Sequence, residues 1–180
     1  VDNNPAFDLI LLDLSMPGVH GFSGLSFLKG QYENTPIVIV SAREESVVVS
    51  KSKAYGANGY IPKSASVDIL GQSLLQAANG ENCFPTEAKD EQVEEEDRLF
   101  LEKVGGFSSK QFRVFSLLAD GCSNQQIADQ LFMSIYTAKA YVSSIIQILE
   151  LSSRTQVALV AKRLESKGAI DFSETNQVIR

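Results

Sequence analysis

The sequence predicts an α/β domain with a parallel sheet, followed by an all-α domain of four helices. Two apolar runs, at residues 9–12 and 35–42, are typical of strands buried on both faces of a parallel sheet. Beyond residue 107, apolar residues instead recur at steps of three and four, which indicates amphipathic helices. The predicted organisation is an α/β domain at 1–85, an acidic linker at 86–106, a helical domain at 107–170 and a disordered tail at 171–180.

Asp13 ends the first apolar run and stands just before a turn-forming stretch. The second run ends near Ser41, and a third short strand, at 59–63, ends in Lys63. The carboxyl ends of parallel strands meet at one edge of the sheet, so we expect these three side chains to converge. An acid, a hydroxyl and an ammonium group suit phosphoryl transfer, in which a carboxylate attacks phosphorus and a cation holds its oxygens. Taken singly, each residue also fits a plainer role as a turn cap, a strand end or a surface charge.

Three motifs in this order, LILLDLSMPGVHG, TPIVIVSA and GANGYIPKSAS, resemble the receiver domain of two-component response regulators. The resemblance covers residues 5–85 and implies a flavodoxin-like (CheY-like) sheet. It also implies a partner, a sensor histidine kinase. The implied roles are phosphoacceptor for Asp13, switch hydroxyl for Ser41, switch aromatic for Tyr60 and phosphate-binding lysine for Lys63.

Receivers also carry an acidic pair, at the end of an earlier strand, that binds Mg²⁺ beside the acceptor. Before its first predicted strand this sequence has only a short polar lead beginning at Val1. Asp13 and the backbone carbonyl of Ser15 would be the remaining ligands, which is few for an octahedral ion. We therefore expect weak or absent Mg²⁺ binding and little or no phosphorylation of this chain.

The resemblance to receiver domains also predicts a receiver truncated at its N-terminus, in which the apolar run at 9–12 forms an uncovered edge of the sheet. Such edges pair with other chains. We expect either that the sequence is a fragment of a longer product or that another subunit covers the edge.

We expect a cytoplasmic protein that is not an enzyme, and the length and composition of the sequence agree with an intracellular protein of two domains. The 180 residues suit two small domains, and the longest apolar runs have strand length, which predicts no membrane span. Cys83 and Cys122 are too isolated for a disulfide framework and are interpreted as reduced thiols. His20, the only histidine, is interpreted as a plain loop residue. An aspartyl phosphatase would need a second acid where Ser15 stands.

The segment 86–106 contains three basic and eight acidic side chains, whereas 107–170 contains seven basic and four acidic ones. The acidic segment is either a helix, with Val93, Phe100 and Leu101 on one face, or a solvated tether. Gly105 and Gly106 mark its end.

Four helices are predicted after this boundary, each preceded by a serine that can cap it. The caps are Ser108 or Ser109, Ser123, Ser134 and a residue near Ser153, and the last helix extends to Lys167. In the third helix the inward stripe is formed by Ala138, Val142, Ile145 and Leu149. Short helices joined by tight turns, with a polar outer face on the third, favour a helix-turn-helix.

The stretches GCSNQQIADQLFMSIYTAKAYVSS and LSSRTQVALVAKR resemble the DNA-binding domain of the LuxR family, over residues 107–168. The resemblance implies double-stranded DNA as a partner and the third helix as the recognition helix. Its outward side chains are Tyr136, Lys139, Ala140, Ser143 and Gln147, while Asn124 and Gln125 begin the preceding helix, close to the DNA backbone.

The predicted recognition helix has one cation, Lys139, and departs from the family pattern at Ala138 and Tyr141. We expect modest, salt-sensitive DNA binding by two copies of the chain. The apolar stripe of the last helix, which includes Val157 and Leu164, either forms a homodimer contact or closes the core. The sequence is thus interpreted as a NarL/LuxR-type transcriptional response regulator. The alternative is a phosphorylation-independent regulator or a heterodimerising antagonist with a degenerate receiver.

Overall fold

The computed structural model describes residues 7–16, 20–86 and 94–166 of the chain. Over these residues the elements are β1 (Ile10–Leu12), α1 (Phe22–Gln31), β2 (Ile37–Ser41), α2 (Ser46–Ala54), β3 (Gly59–Pro62), α3 (Val67–Ala78), α4 (Glu95–Gly105), α5 (Ser109–Ala119), α6 (Asn124–Gln130), α7 (Ile135–Ile148) and α8 (Arg154–Ser166). Val93, Lys167 and the predicted tail at 171–180 lie outside the described residues.

The three strands form a parallel sheet in the order β1-β2-β3, as the apolar runs predict. The central strand β2 is the most deeply buried, with Ile37, Val38 and Ile39 fully excluded from solvent. Within the described residues β1 forms one edge of the sheet, and Leu11 on it is 49% exposed. The α/β class and the parallel direction are therefore confirmed.

Residues 95–105 form a packed helix, which rules out a solvated tether over this part of the acidic segment. Phe100, Leu101 and Val104 of α4 are buried. Asp97 is also buried and pairs with Arg163 of α8. The helix ends at Gly105 with Gly106 as its C-cap, at the boundary that the glycines predict.

The helical half begins with serine-capped helices, as predicted. Ser108 and Ser123 each form a capping box, with Gln111 and Gln126 respectively, and Ser134 accepts a hydrogen bond from the backbone N–H of Thr137. These caps satisfy backbone donors that the first turn of a helix leaves unpaired. The predicted inward stripe of α7 is buried, at Ala138, Val142, Ile145 and Leu149. Val157, Ala161 and Leu164 of α8 are buried as well, so these residues close the core.

One apolar cluster runs from the sheet through α1 and α4 into the helical half. The rings of Phe27 in α1 and Phe112 in α5 stack with centroids 4.1 Å apart. The α/β half and the helical half therefore share one core across α1. None of the described helices combines the length and the apolar character that a membrane span requires.

Candidate phosphoacceptor edge and nucleic-acid interface

Asp13 and Lys63 meet at the carboxyl edge of the sheet, where the Lys63 Nζ atom lies 2.7 Å from Asp13 Oδ2. Asp13 follows β1 and Lys63 follows β3, and the strand register aligns these ends. The Lys63 backbone N–H donates to the carbonyl of Ser41, at the end of β2, over 2.8 Å. The parallel sheet thus brings the three predicted residues to one edge.

The Asp13 carboxylate is held in its ionised form by two donors. The hydrogen bond from Lys63 and that from the Ser15 backbone N–H lower the pKa of Asp13 below its ordinary value of 3.8. Both carboxylate oxygens are engaged, since Oδ1 accepts from Ser15 over 2.9 Å and Oδ2 accepts from Lys63. An ionised carboxylate beside an ammonium group is suited to attack an electrophilic phosphorus.

Ser41 and Tyr60 are buried beside this edge. The Ser41 Oγ atom accepts from the backbone N–H of Arg43 over 3.2 Å, and the Tyr60 hydroxyl donates to the carbonyl of Arg43. Burial raises the pKa of Tyr60, and a hydrogen bond with Ser41 opposes part of that rise. Arg43 therefore links the two predicted switch residues, although no feature of the sequence pattern singled it out.

The described residues do not provide the donor set of a magnesium site. Among them, no group of three or more His, Cys, Asp or Glu side chains is placed to hold a metal ion. The Asp13 carboxylate and the Ser15 carbonyl fall short of the octahedral oxygen shell that Mg²⁺ demands. The carboxylate also already accepts two hydrogen bonds.

The outer face of α7 is open to solvent in the described structure. Lys139, Ala140 and Ser143 are exposed, and Tyr136 is 80% exposed in the first turn. The buried apolar residues on the opposite face of α7 hold the helix in place, so these exposed side chains all point away from the core. A recognition helix in a major groove requires this orientation. No part of the described chain therefore covers the predicted recognition row.

The two polar residues at the start of α6 have different surroundings. Gln125 is exposed and its side chain donates to Asp129 over 2.8 Å. Asn124 is half-buried, and its Oδ1 atom has no hydrogen-bond partner among the described residues. The start of α6 is thus polar and partly accessible, on the same helix-turn-helix unit as α7.

His20 is not a plain loop residue, and that interpretation is wrong. Its side chain is buried against α5 and α8, and its ring nitrogens contact Glu165 and the carbonyl of Ser116. No local pattern signals these contacts of His20, because Glu165 lies 145 positions further along the chain.

Comparisons with known proteins agree with this two-part architecture. Residues 2–75 match the family model described as the response regulator receiver domain, and residues 106–161 match that of bacterial regulatory proteins, luxR family. The fold and the two sites define a receiver domain joined to a helix-turn-helix DNA-binding domain.

Curated relatives align with this chain over most of its length. The glycerol metabolism activator of Pseudomonas putida is 36% identical over 173 residues, which cover 92% of this chain and 76% of the relative. The nitrate/nitrite response regulator protein NarP of Escherichia coli K12 is 28% identical, over 93% of this chain and 77% of NarP. The chain belongs to the NarL/LuxR family of two-component response regulators and is a transcriptional response regulator.

A similar solved structure is the RcsB response regulator of Salmonella typhimurium, with 21% identity and a TM-score of 0.42. The match covers 86% of this chain and 75% of that one.

Proposed function

We propose that Asp13 is the phosphoacceptor through which a sensor histidine kinase controls this regulator. The Asp13 carboxylate attacks the phosphorus of a kinase phosphohistidine, so that the P–N bond breaks, a P–O bond forms and the imidazole leaves. Lys63 then neutralises the charge on the phosphoryl oxygens. The observation that supports this assignment is the 2.7 Å contact between Lys63 and Asp13 at the strand ends.

Ser41 and Tyr60 are proposed as the residues that transmit the phosphorylated state. Both are buried and both contact Arg43. A phosphoryl group on Asp13 introduces new acceptor oxygens at this edge, and the Ser41 hydroxyl can donate to them. Rotation of the Ser41 side chain toward these oxygens would break the hydrogen bond that its Oγ accepts from the Arg43 N–H and would displace Arg43 and Tyr60.

We propose that α7 lies in the major groove of the DNA partner. Lys139 contacts a phosphate or a base, Ala140 meets a thymine methyl group, and Ser143 bonds a base or a phosphate. Tyr136 lies on the same exposed row, while Asn124 and Gln125 approach the DNA backbone. One cation on this row is few, so we propose that two copies of the chain bind a two-part site as a homodimer.

The proposed domain limits are 1–85 for the receiver, 86–106 for the linker, 107–170 for the DNA-binding domain and 171–180 for the tail. Receivers normally use Mg²⁺ for phosphorylation, and we propose that this chain binds it weakly or not at all. We also propose that the protein acts on DNA in the cytoplasm and has no catalytic activity of its own.

A second candidate is a regulator or heterodimerising antagonist that acts without phosphorylation. The small number of metal ligands around Asp13 among the described residues favours this second candidate, because receivers depend on a divalent cation for phosphoryl transfer. This candidate keeps the exposed row of α7 and gives no role to Asp13.

Labelling with radioactive acetyl phosphate, followed by a gel-shift assay, separates the two candidates. The probe is a duplex that the protein selects from a random-sequence pool. At a Mg²⁺ concentration high enough to offset weak binding of the ion, the leading proposal expects a low level of label on the wild type, none on Asp13→Asn, and tighter DNA binding by the labelled fraction. No label, together with equal binding by both proteins, would instead support the phosphorylation-independent regulator.

A further inference from the structure

His20 lies between the two halves of the molecule, just before α1. Its side chain is buried, and each ring nitrogen faces an oxygen from the helical half. The Nδ1 atom is 2.5 Å from Glu165 Oε1 in α8, and Nε2 is 2.9 Å from the carbonyl oxygen of Ser116 in α5. A residue of the receiver is thus bonded to two helices of the DNA-binding domain.

This geometry matches the charged form of the ring. A neutral imidazole carries one N–H, whereas both nitrogens of an imidazolium donate. The Ser116 carbonyl and the ionised Glu165 carboxylate can only accept, so both contacts are satisfied together when His20 is protonated. Asp120 Oδ1, at the end of α5, lies 3.5 Å from Nε2 and adds a second negative group.

Arg43 completes the contact from the receiver side. Its Nη1 atom donates to the backbone carbonyl of Glu165 over 2.8 Å, near the C-terminal end of α8. The charged groups that face His20 directly are Glu165 from α8 and Asp120 from α5. Arg43, from the loop after β2, contacts Glu165 and not His20 itself. The ring of Phe115 covers the imidazole in an edge arrangement, with centroids 6.4 Å apart.

We infer that His20, Arg43 and Glu165 form an interdomain clamp that holds the DNA-binding domain against the receiver when His20 is protonated and loosens this docking when His20 is neutral. Loss of one ring proton leaves either Glu165 or the Ser116 carbonyl facing an unprotonated nitrogen. An acceptor facing an acceptor in a buried contact is repulsive, so the docked arrangement, which the shared apolar core still favours, becomes less stable.

The electrostatics of His20 support the clamp. Burial alone would lower the pKa of His20, but the hydrogen bonds to Glu165 and Ser116 and the charges of Glu165 and Asp120 outweigh it and raise the pKa above 6.5. A group whose pKa is higher in the docked state stabilises docking fully below its undocked pKa. That stabilisation is lost as the pH rises through the docked value, so the clamp opens on the alkaline side.

The clamp also contacts the acceptor edge of the receiver. The backbone of Arg43 bonds Ser41 and Tyr60, while its guanidinium group bonds α8. A movement of Ser41 or Tyr60 would therefore disturb the hydrogen bond between the Arg43 guanidinium group and α8. This link rests on the proposed switch roles of Ser41 and Tyr60, whereas the clamp itself does not.

The clamp does not work by covering the recognition row. Tyr136 and Lys139 of α7 are exposed while His20 and Glu165 are in contact. Loosening of the clamp changes the position of the DNA-binding domain relative to the receiver. It thereby changes how the recognition helices of two copies can be arranged on one DNA duplex.

A single histidine makes the clamp directly measurable, since the proton spectrum contains one imidazole Cε1–H signal. Its chemical shift against pH gives the pKa of His20 in the wild type, in Glu165→Gln and in Glu81→Gln. Glu81 is an exposed carboxylate after α3 and serves as the matched control. We expect a pKa above 6.5 in the wild type and in Glu81→Gln, and a lower pKa in Glu165→Gln. An ordinary or lowered wild-type pKa, or no change in Glu165→Gln, would overturn the clamp.

Small-angle X-ray scattering of the same proteins tests whether the clamp controls docking. The wild type should have a larger radius of gyration above the pKa of His20 than below it, and Glu165→Gln should show the larger value at both pH values. A wild-type radius that does not change across the titration overturns this loosening. Should Glu165→Gln fail to fold, Asp120→Asn, which removes the more distant negative group, should lower the pKa of His20 by a smaller amount, and the wild-type pH series still decides docking.

Discussion

Gly30 of α1 packs directly on the backbone of Gly105 in α4. A methyl group built on Gly30 would lie 2.0 Å from the carbonyl oxygen of Gly105. The same helix pair is joined by a hydrogen bond of 2.5 Å from Ser26 Oγ to the carbonyl of Leu101. The receiver helix and the linker helix therefore approach as closely as their backbones allow, and only glycine fits at position 30.

Substitution Gly30→Ala should destabilise the protein, because the obstructing atom belongs to the backbone and cannot rotate away. Overpacking of this kind costs about 1–3 kcal/mol. Gly71→Ala is the matched control, since Gly71 lies within α3 with no atom within 4 Å of an added methyl group. There the gain in helix propensity should stabilise by roughly 0.5–1 kcal/mol. Urea unfolding measures both, and equal effects of the two substitutions would contradict the close packing.

The pair between Arg163 and Asp97 should contribute more to stability than the exposed pairs of α4. Asp97 is 1% exposed, so Arg163→Met deprives a buried carboxylate of its cation. We expect a loss of about 2 kcal/mol, since hydrogen bonds to charged groups contribute roughly 1.5–3 kcal/mol. Arg98→Met removes a cation whose partners, Glu95 and Glu102, are exposed, and it should change the unfolding free energy less. Thermal unfolding compares the two, and a larger loss in Arg98→Met would refute the ranking.

Local sequence pattern was sufficient to predict the strands, the helix caps and the meeting of Asp13 and Lys63 at one edge of the sheet. Asp13 and Lys63 could be placed together because each directly follows a strand, and parallel strands end at a common edge. Ser108, Ser123 and Ser134 could be identified because capping depends on residues only three positions away. The buried face of α7 followed from its period.

The contacts between the two halves could not be predicted in this way. His20 meets Glu165 only because α1 and α8 pack together, and no local pattern encodes that meeting. The acidic segment was equally compatible with a tether, since the burial of Asp97 depends on Arg163 of a distant helix. Arg43 was missed for the same reason, because its partners are a backbone carbonyl in α8 and the hydroxyl of Tyr60.

Lys63→Gln should raise the pKa of Asp13 toward 3.8, because the hydrogen bond from Lys63 is the main cause of its depression. The carboxyl carbon shift of Asp13 against pH measures this. A carboxylate with a lowered folded-state pKa stabilises above its unfolded pKa, and that stabilisation is lost as the pH falls through the folded value. The stability difference between Lys63→Gln and wild type should therefore vanish in acid. Lys110→Gln, at an exposed lysine of α5, should leave the Asp13 titration unchanged, and an unchanged titration in Lys63→Gln would contradict the contact.

Lys139→Ala should weaken DNA binding and make it less dependent on salt. Lys139 is the one cation on the exposed row of α7, and each phosphate contact releases counterions from the duplex. The slope of log affinity against log salt is negative, and loss of one such contact should reduce its magnitude by about one. Fluorescence anisotropy with a labelled random-sequence duplex, titrated at several salt concentrations, measures that slope. Lys110→Ala makes the same charge change outside α6 and α7 and should alter the slope less. If both variants reduce the magnitude of the slope equally, net charge rather than α7 governs binding, and the placement of α7 in the groove is wrong.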